Sequence, residues 1–293
     1  MNSGSADRAA SPAPVVQLFF NPASGSFSAR DMVLLARGIE AAGARVIPAI
    51  SSDTAEPLTI DRDASHICIA GGDGTIRHVA TMLARRGCPL PIAIYPAGTV
   101  NLLAMDGGYA ADPAGLVRRL FGEQAGKLHH PVAIGEELFF ACASAGPDSA
   151  AIAALSTRLK RWIGRAAYLV AFLGVLWRWP RPRIILTADG RQTACEAFYV
   201  AKARYFAGRW SFAPQACPSD GMLHVVALPR AGRRDYARFI WAMLCGQKVP
   251  GVHFTCTTLM AQCDDPMPVQ ADGDMIATLP LTLTVDARAI AFR

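Results

Sequence analysis

The chain has 293 residues, 52% of them hydrophobic and 18% charged, a balance that supplies buried cores, excludes extensive disorder and, at roughly 100–200 residues per domain, predicts about two domains. A net charge of +6 with a pI near 9.0 favours anionic partners; no basic run with interleaved aromatics is present, so nucleic acid is not among those expected. Eight cysteines without one Cys-x-x-Cys pair argue against a disulfide scaffold or zinc site and favour reduced thiols in the cytoplasm.

In chain order, residues 1–14 are rich in Ser, Ala and Pro and read as a disordered leader, without the apolar core of a signal peptide. Residues 15–20 read as a strand ending in the turn Asn21-Pro22-Ala23-Ser24-Gly25. Met32, Leu35, Ala36 and Ile39 then recur at helical spacing before Gly43, and strands are predicted at 45–50 and 65–70. Gly71-Gly72-Asp73-Gly74-Thr75 links the third strand to a helix carrying Ile76, Val79, Ala80 and Leu83, with Gly87 at its stop. A glycine turn between strand and helix lets backbone N–H groups approach phosphate oxygens where the helix N-terminus favours negative charge. A carboxylate there, Asp73, is repelled by phosphate unless a cation lies between them, which predicts phosphate plus Mg²⁺; the alternative is an Asp that caps the helix. A fourth strand at 92–95 enters Pro96-Ala97-Gly98-Thr99-Val100-Asn101. Strands alternating with helices predict an α/β, parallel-sheet nucleotide-binding domain over 15–126, with ligands beyond the carboxyl ends of its strands.

From 127 to 293 the pattern predicts a β-rich domain. Strands are expected at 138–145, 183–188, 194–203, 223–228, 253–261 and 281–285, with a hairpin turn at Asp189-Gly190 and helices around 149–177 and 233–245. The longest apolar run, 166–177, is shorter than the ~20 residues of a membrane span.

The motifs together resemble the catalytic domain of diacylglycerol and sphingosine kinases, including soluble bacterial lipid kinases. The resemblance runs from about Val15 to Asp274 and rests on Asn21 to Gly25, Gly71 to Thr75, Pro96 to Asn101, Ala213-Pro214 leading into Asp220-Gly221-Met222-Leu223, and Asp272-Gly273-Asp274. It implies a nucleotide domain followed by a sandwich-like β domain, with ATP and a lipid hydroxyl meeting in the cleft between them. Asn21, Ser24, Gly25, Gly71, Gly72, Gly74, Thr75, Gly98, Thr99 and Asn101 would then bind ATP. Asp73 would hold Mg²⁺ through water, Asp272 would be the base, and Asp274 would assist. Asp220 with the carbonyls of Cys217 and Met222 matches a secondary structural metal site of some members, and Asp148 a carboxylate of the cleft that is equally suited to an N-cap.

Three residues depart from the family pattern. His78 stands where Glu is usual, Leu102 where Asp often follows the Asn, and Asp274 where the last motif usually ends in Glu. Fewer acidic groups near a metal would slow the reaction or change metal preference. Arg158, Lys160, Arg161 and Arg165 precede the apolar run and Trp177, Arg178, Trp179, Arg181 and Arg183 follow it. That composition suits transient docking on the anionic inner membrane face, the alternative being a buried helix with a basic end. Rival functions are a soluble-substrate kinase such as an NAD kinase or phosphofructokinase, although no Asn-Asn-Glu is present, and a catalytically weak nucleotide-binding regulator. The identity of the lipid acceptor and the oligomeric state are not encoded in any short motif.

Overall fold

The computed structural model describes residues 13–51, 58–123, 125–154 and 172–293. β1 (Val15–Phe20), β2 (Arg45–Ile50), β3 (His66–Gly71) and β4 (Ile92–Pro96) run parallel in the order β2-β1-β3-β4. Consecutive residues of β1, β3 and β4 are buried. Since successive side chains point to opposite faces, both faces of this sheet are covered. α1 (Ala29–Ala41) starts where Ser28 accepts the Asp31 N–H at 3.2 Å, and Gly43, at φ +83°, follows its end. α2 (Asp73–Arg85) buries Ile76, Val79, Ala80 and Leu83 and is followed by Gly87 at φ +60°. α3 (Leu102–Asp106) is short; α4 (Pro113–Leu120) is capped by Asp112, with Pro113 in its first turn.

Two further strands complete this sheet. β5 (Lys127–His129) pairs antiparallel with β18 (Ile290–Phe292), which lies beside β4. Both fall beyond residue 126, the expected boundary of the first domain. They join the first sheet because Ile290 and Phe292 are buried in its core and the Arg293 N–H donates to the Ile92 carbonyl at 2.8 Å.

The rest is a pair of antiparallel six-stranded sheets. One contains β6 (Val132–Ile134), β7 (Glu137–Phe139), β9 (Ile184–Ala188), β10 (Arg191–Cys195), β14 (Thr258–Cys263) and β17 (Leu281–Val285). The other contains β8 (Cys142–Ala145), β11 (Ala197–Ala201), β12 (Leu223–Leu228), β13 (Val252–Cys256), β15 (Pro268–Ala271) and β16 (Asp274–Thr278). Leu186, Leu259 and Leu283 of one sheet share a core with Phe198, Val225 and Val269 of the other, the arrangement of a sandwich. Helix Arg233–Leu244 covers the outer face of the second sheet, packing Tyr236 and Phe239 against Tyr199 and Val226.

Three expected strands are each broken in two. The 138–145 stretch divides at Phe140-Ala141, 194–203 at Glu196 and 253–261 at Thr257, and in every case the halves belong to different sheets. An apolar pattern persists through such a crossing because both halves face the same sandwich core. Of the expected 149–177 helix, α5 (Pro147–Ala154) and residues 172–177 are helical; Arg158, Lys160, Arg161 and Arg165 lie outside the described residues. Among the described residues no helix is long and apolar enough to cross a membrane.

Candidate active site

Three adjacent parallel strands deliver the three amino-terminal motifs to one edge. Asn21 follows β1, Gly72 follows β3 and Ala97-Gly98 follows β4. The Asn21 N–H donates to the Ala70 carbonyl at 3.2 Å, and the Ala97 N–H to the Gly71 carbonyl at 3.0 Å. The Asn21 side-chain amide donates to the Thr75 hydroxyl at 3.2 Å. Asn101, in the left-handed region at φ +58°, clasps Gly98 by accepting its N–H at 2.8 Å and donating to its carbonyl at 2.9 Å. The closeness of these loops is what demands glycine: a Cβ on Gly98 would lie 2.4 Å from Gly72 Cα, and one on Gly25 2.6 Å from Thr99 Oγ1.

Between the loops lies a cleft of about 520 Å³. Asn21, Ser24, Gly25, Gly72, Gly74, Thr75, Gly98, Thr99 and Asp274 line it; Gly71, Asp73, Asn101 and Asp272 are not in its lining. Asp73 does not cap its own helix. Its carboxylate accepts the N–H groups of Leu102 at 2.9 Å and Leu103 at 3.1 Å and so caps α3, while α2 begins at Gly72 with no side-chain cap. Burial pushes the Asp73 carboxyl above the usual carboxylate range; the Leu102 and Leu103 amides oppose the shift and Asp274 adds to it.

Asp272 and Gly273 form the two-residue turn between β15 and β16, with φ of +49° and +86°, the positive values that a type I′ hairpin needs. Asp272 is buried in this turn although Gly273 beside it is exposed. Asp272 Oδ2 accepts the Phe140 N–H at 2.8 Å, and Oδ1 accepts those of Ala141 at 2.8 Å and Cys142 at 3.1 Å. These amides belong to the chain where it crosses from β7 to β8, so the sheet switch supplies the cradle. Burial pushes the Asp272 carboxyl up to about 6; the three amides oppose this and Asp73 adds to it. Asp73, Asp272 and Asp274 thus form one electrostatic neighbourhood, fed by both halves of the chain.

The two other carboxylates singled out by the resemblance, Asp148 and Asp220, bond to different partners. Asp148 is fully committed elsewhere: its oxygens accept the Ser144 hydroxyl and, at 3.0 Å, the Tyr199 hydroxyl, which also contacts Tyr236. It lies in the first turn of α5 as a buried network residue. Asp220 and the Cys217 and Met222 carbonyls do converge, but on the Lys202 ammonium. Among the described residues no group of three or more His, Cys, Asp or Glu side chains is placed to hold a metal ion.

Residues 15–130 match the diacylglycerol kinase catalytic domain, and residues 141–292 the YegS C-terminal NAD kinase beta sandwich-like domain. The chain belongs to the diacylglycerol kinase family. The "Probable lipid kinase YegS-like" protein of Pseudomonas aeruginosa (strain UCBPP-PA14) is 34% identical over 167 residues, 54% of this chain and 53% of that one. The Diacylglycerol kinase of Bacillus subtilis (strain 168) is 23% identical over 227 residues, 75% and 74% of the two chains. The chain spans about half the length of the Pseudomonas relatives it matches. A solved diacylglycerol kinase of Bacillus anthracis str. Sterne, 18% identical, has a TM-score of 0.73 over 97% of this chain and 98% of that one, which shows a shared fold.

In this diacylglycerol kinase family member, the departing residues have distinct places. His78 is exposed and lines the cleft; Leu102 is buried and offers only its backbone N–H, to Asp73. Sequence reasoning missed Arg77, which pairs with Asp274 at 3.0 Å and Glu137 at 3.6 Å. It follows Thr75 by two residues, and no local signal marks its partners, which come from distant hairpins. His129 was missed as well: buried and neutral, its pKa driven down to about 3 by burial, it contacts the Phe140 carbonyl at 2.7 Å and anchors the Asp272 cradle from behind.

Proposed function

We propose that the protein is an ATP-dependent lipid kinase that moves the γ-phosphate to a hydroxyl of a diacylglycerol-like lipid. The reading is carried by the glycine-lined cleft at the carboxyl ends of β1, β3 and β4 together with Asp272, delivered beside Asp73 by a hairpin of the sandwich. Phosphoryl transfer requires mainly positioning and charge neutralisation, plus a carboxylate to take the hydroxyl proton. Asp272 suits that role. Its Oδ1 accepts two amides and its Oδ2 one, which leaves an acceptor position on Oδ2 for the incoming hydroxyl. As the acceptor oxygen bonds to the γ-phosphorus, the bond to the β-phosphate oxygen breaks and the hydroxyl proton passes to Asp272.

Asp73 and Asp274 would hold Mg²⁺. Their oxygen donors and mutual repulsion suit a hard cation, and Mg²⁺ is commonly held by one or two carboxylates with substrate phosphates completing its shell. The ion would neutralise phosphate charge. An acyl chain would fit the largely apolar groove of about 790 Å³ beside Trp177, Trp179 and Met267. The groove reaches Pro268, and β15 runs from there to Ala271, so Asp272, the next residue, lies about 13 Å along the chain from Pro268 at ~3.3 Å per residue.

Incubation with Mg²⁺ and γ-labelled ATP across diacylglycerol, monoacylglycerol, phosphatidylglycerol, ceramide and sphingoid bases should label one extractable lipid. Labelled NADP formed from NAD instead would overturn the lipid reading. The pH dependence has a definite sign. A base raised to about 6 is ionised above that pH and protonated below it, so kcat/KM should be flat above about pH 7 and fall as pH drops through 6. A profile unchanged down to pH 5 would remove Asp272 as the base.

For membrane approach, Trp177 and Trp210 are 67% and 41% exposed, and Arg178, Arg181 and Arg183 are exposed beside the former. Sedimentation with vesicles should show tighter binding to those containing phosphatidylglycerol than to phosphatidylcholine alone, with the difference fading in high salt. Equal binding at every salt concentration would exclude basic docking.

A further inference from the structure

We infer that Lys202 is a built-in cation at the Cys217–Met222 turn, where its ammonium takes the place of a structural metal ion. Lys202 follows β11 and its side chain has no solvent exposure. An ammonium has three N–H donors and no acceptor. Here it meets three oxygens: Asp220 Oδ1 at 3.0 Å, the Cys217 carbonyl at 3.3 Å and the Met222 carbonyl at 3.3 Å. One carboxylate and two carbonyls directed at one point are the oxygen donors that Ca²⁺ or Mg²⁺ would take. The remaining Asp220 oxygen contacts His224 Nε2 at 2.7 Å, and the Met222 N–H also donates to Oδ1 at 2.9 Å. A metal ion therefore does not fit this donor set while the lysine is present.

The lysine also ties this turn to the Asp272 cradle. Its own N–H and that of Ala203 donate to the Ala141 carbonyl at 2.8 and 2.9 Å, and the Ala141 N–H donates to Asp272. A covalently attached cation makes that linkage independent of metal supply. The inference does not rest on the proposed reaction, and its readouts are metal occupancy and melting, so it stands or falls separately.

Crystals of the unaltered protein soaked in MnCl₂ should show no anomalous scattering between Asp220 and the two carbonyls; a manganese peak there would overturn the inference. Lys202→Ala leaves the donors facing a cavity, and in EDTA it should melt at least about 5 °C below the parent. Millimolar MgCl₂ or MnCl₂ should restore much of that deficit. Binding at the cleft carboxylates is common to both proteins, so the difference between parent and variant is the quantity read. A Lys202→Ala protein that melts like the parent, or whose deficit no divalent ion narrows, would show that these oxygens are not a cation cage. Should the variant fail to fold, the soaked parent crystals decide alone.

Discussion

Replacing Asp272 with asparagine should lower phosphate transfer by about 10²–10⁴-fold, the usual contribution of a positioned base, while nucleotide affinity stays within a few-fold of the parent. The two effects separate because the glycine loops of the cleft come from the first sheet, whereas Asp272 comes from the sandwich and is not in the cleft lining. Alanine is the harsher variant. It strands the amides of Phe140, Ala141 and Cys142 in a buried setting, where each unsatisfied donor costs about 1–3 kcal/mol, so lost activity there mixes chemistry with folding. Asparagine retains one carbonyl acceptor but cannot take a proton at pH 7. Single-turnover labelling with saturating Mg²⁺-ATP, alongside calorimetric ATP titration, gives both numbers. Parent-level transfer by the asparagine variant would sink the base assignment.

Gly98→Ala should be the most damaging single methyl in the cleft. The added Cβ would lie 2.4 Å from Gly72 Cα and 2.6 Å from Asn101 Oδ1. The first obstacle is backbone and cannot rotate away, so the β3 and β4 loops must separate. Overpacking of this kind costs about 1–3 kcal/mol, and the displaced amides would no longer converge on one phosphate. ATP affinity should fall by at least about tenfold, the equivalent of 1.4 kcal/mol. Gly25→Ala meets the Thr99 hydroxyl at 2.6 Å, a side-chain end that can turn, and should be milder. Gly174→Ala, with nothing within 4 Å in a helical stretch, serves as the control and should hold or gain stability. Calorimetric titration with ATP ranks the three. Equal affinities would mean that the loops can separate without consequence.

The parallel part of the first sheet was legible because β1, β3 and β4 are runs of buried residues and the turns between elements carry glycine and proline, so β1 to β4 and α2 emerged close to their true limits, whereas β5 and β18 did not. The sandwich was less so. At Phe140, Glu196 and Thr257 the chain changes sheets without changing its apolar pattern, and only the long-range pairing reveals the break. The two Asp-Gly turns show the limit best. Asp189-Gly190 and Asp272-Gly273 share positive φ at both positions, yet Asp189 is exposed and Asp272 is buried. The local dipeptide determines the hairpin, whereas the depth of the carboxylate depends on three amides about 130 residues earlier in the chain. Lys202 was invisible for a related reason: its neighbours Ala201 and Ala203 suggest an ordinary strand end, and its partners lie 15–20 residues onward.

The position of β18 has a consequence for biosynthesis. It sits between β4 and β5, so residues near 290 must leave the ribosome before the sheet begun at Val15 can close. Until then β4 presents an open edge, the kind that invites pairing with another chain. A fragment ending near residue 130 would keep that edge permanently, and the amino-terminal half is therefore a poor candidate for separate expression even though its own motifs are all present.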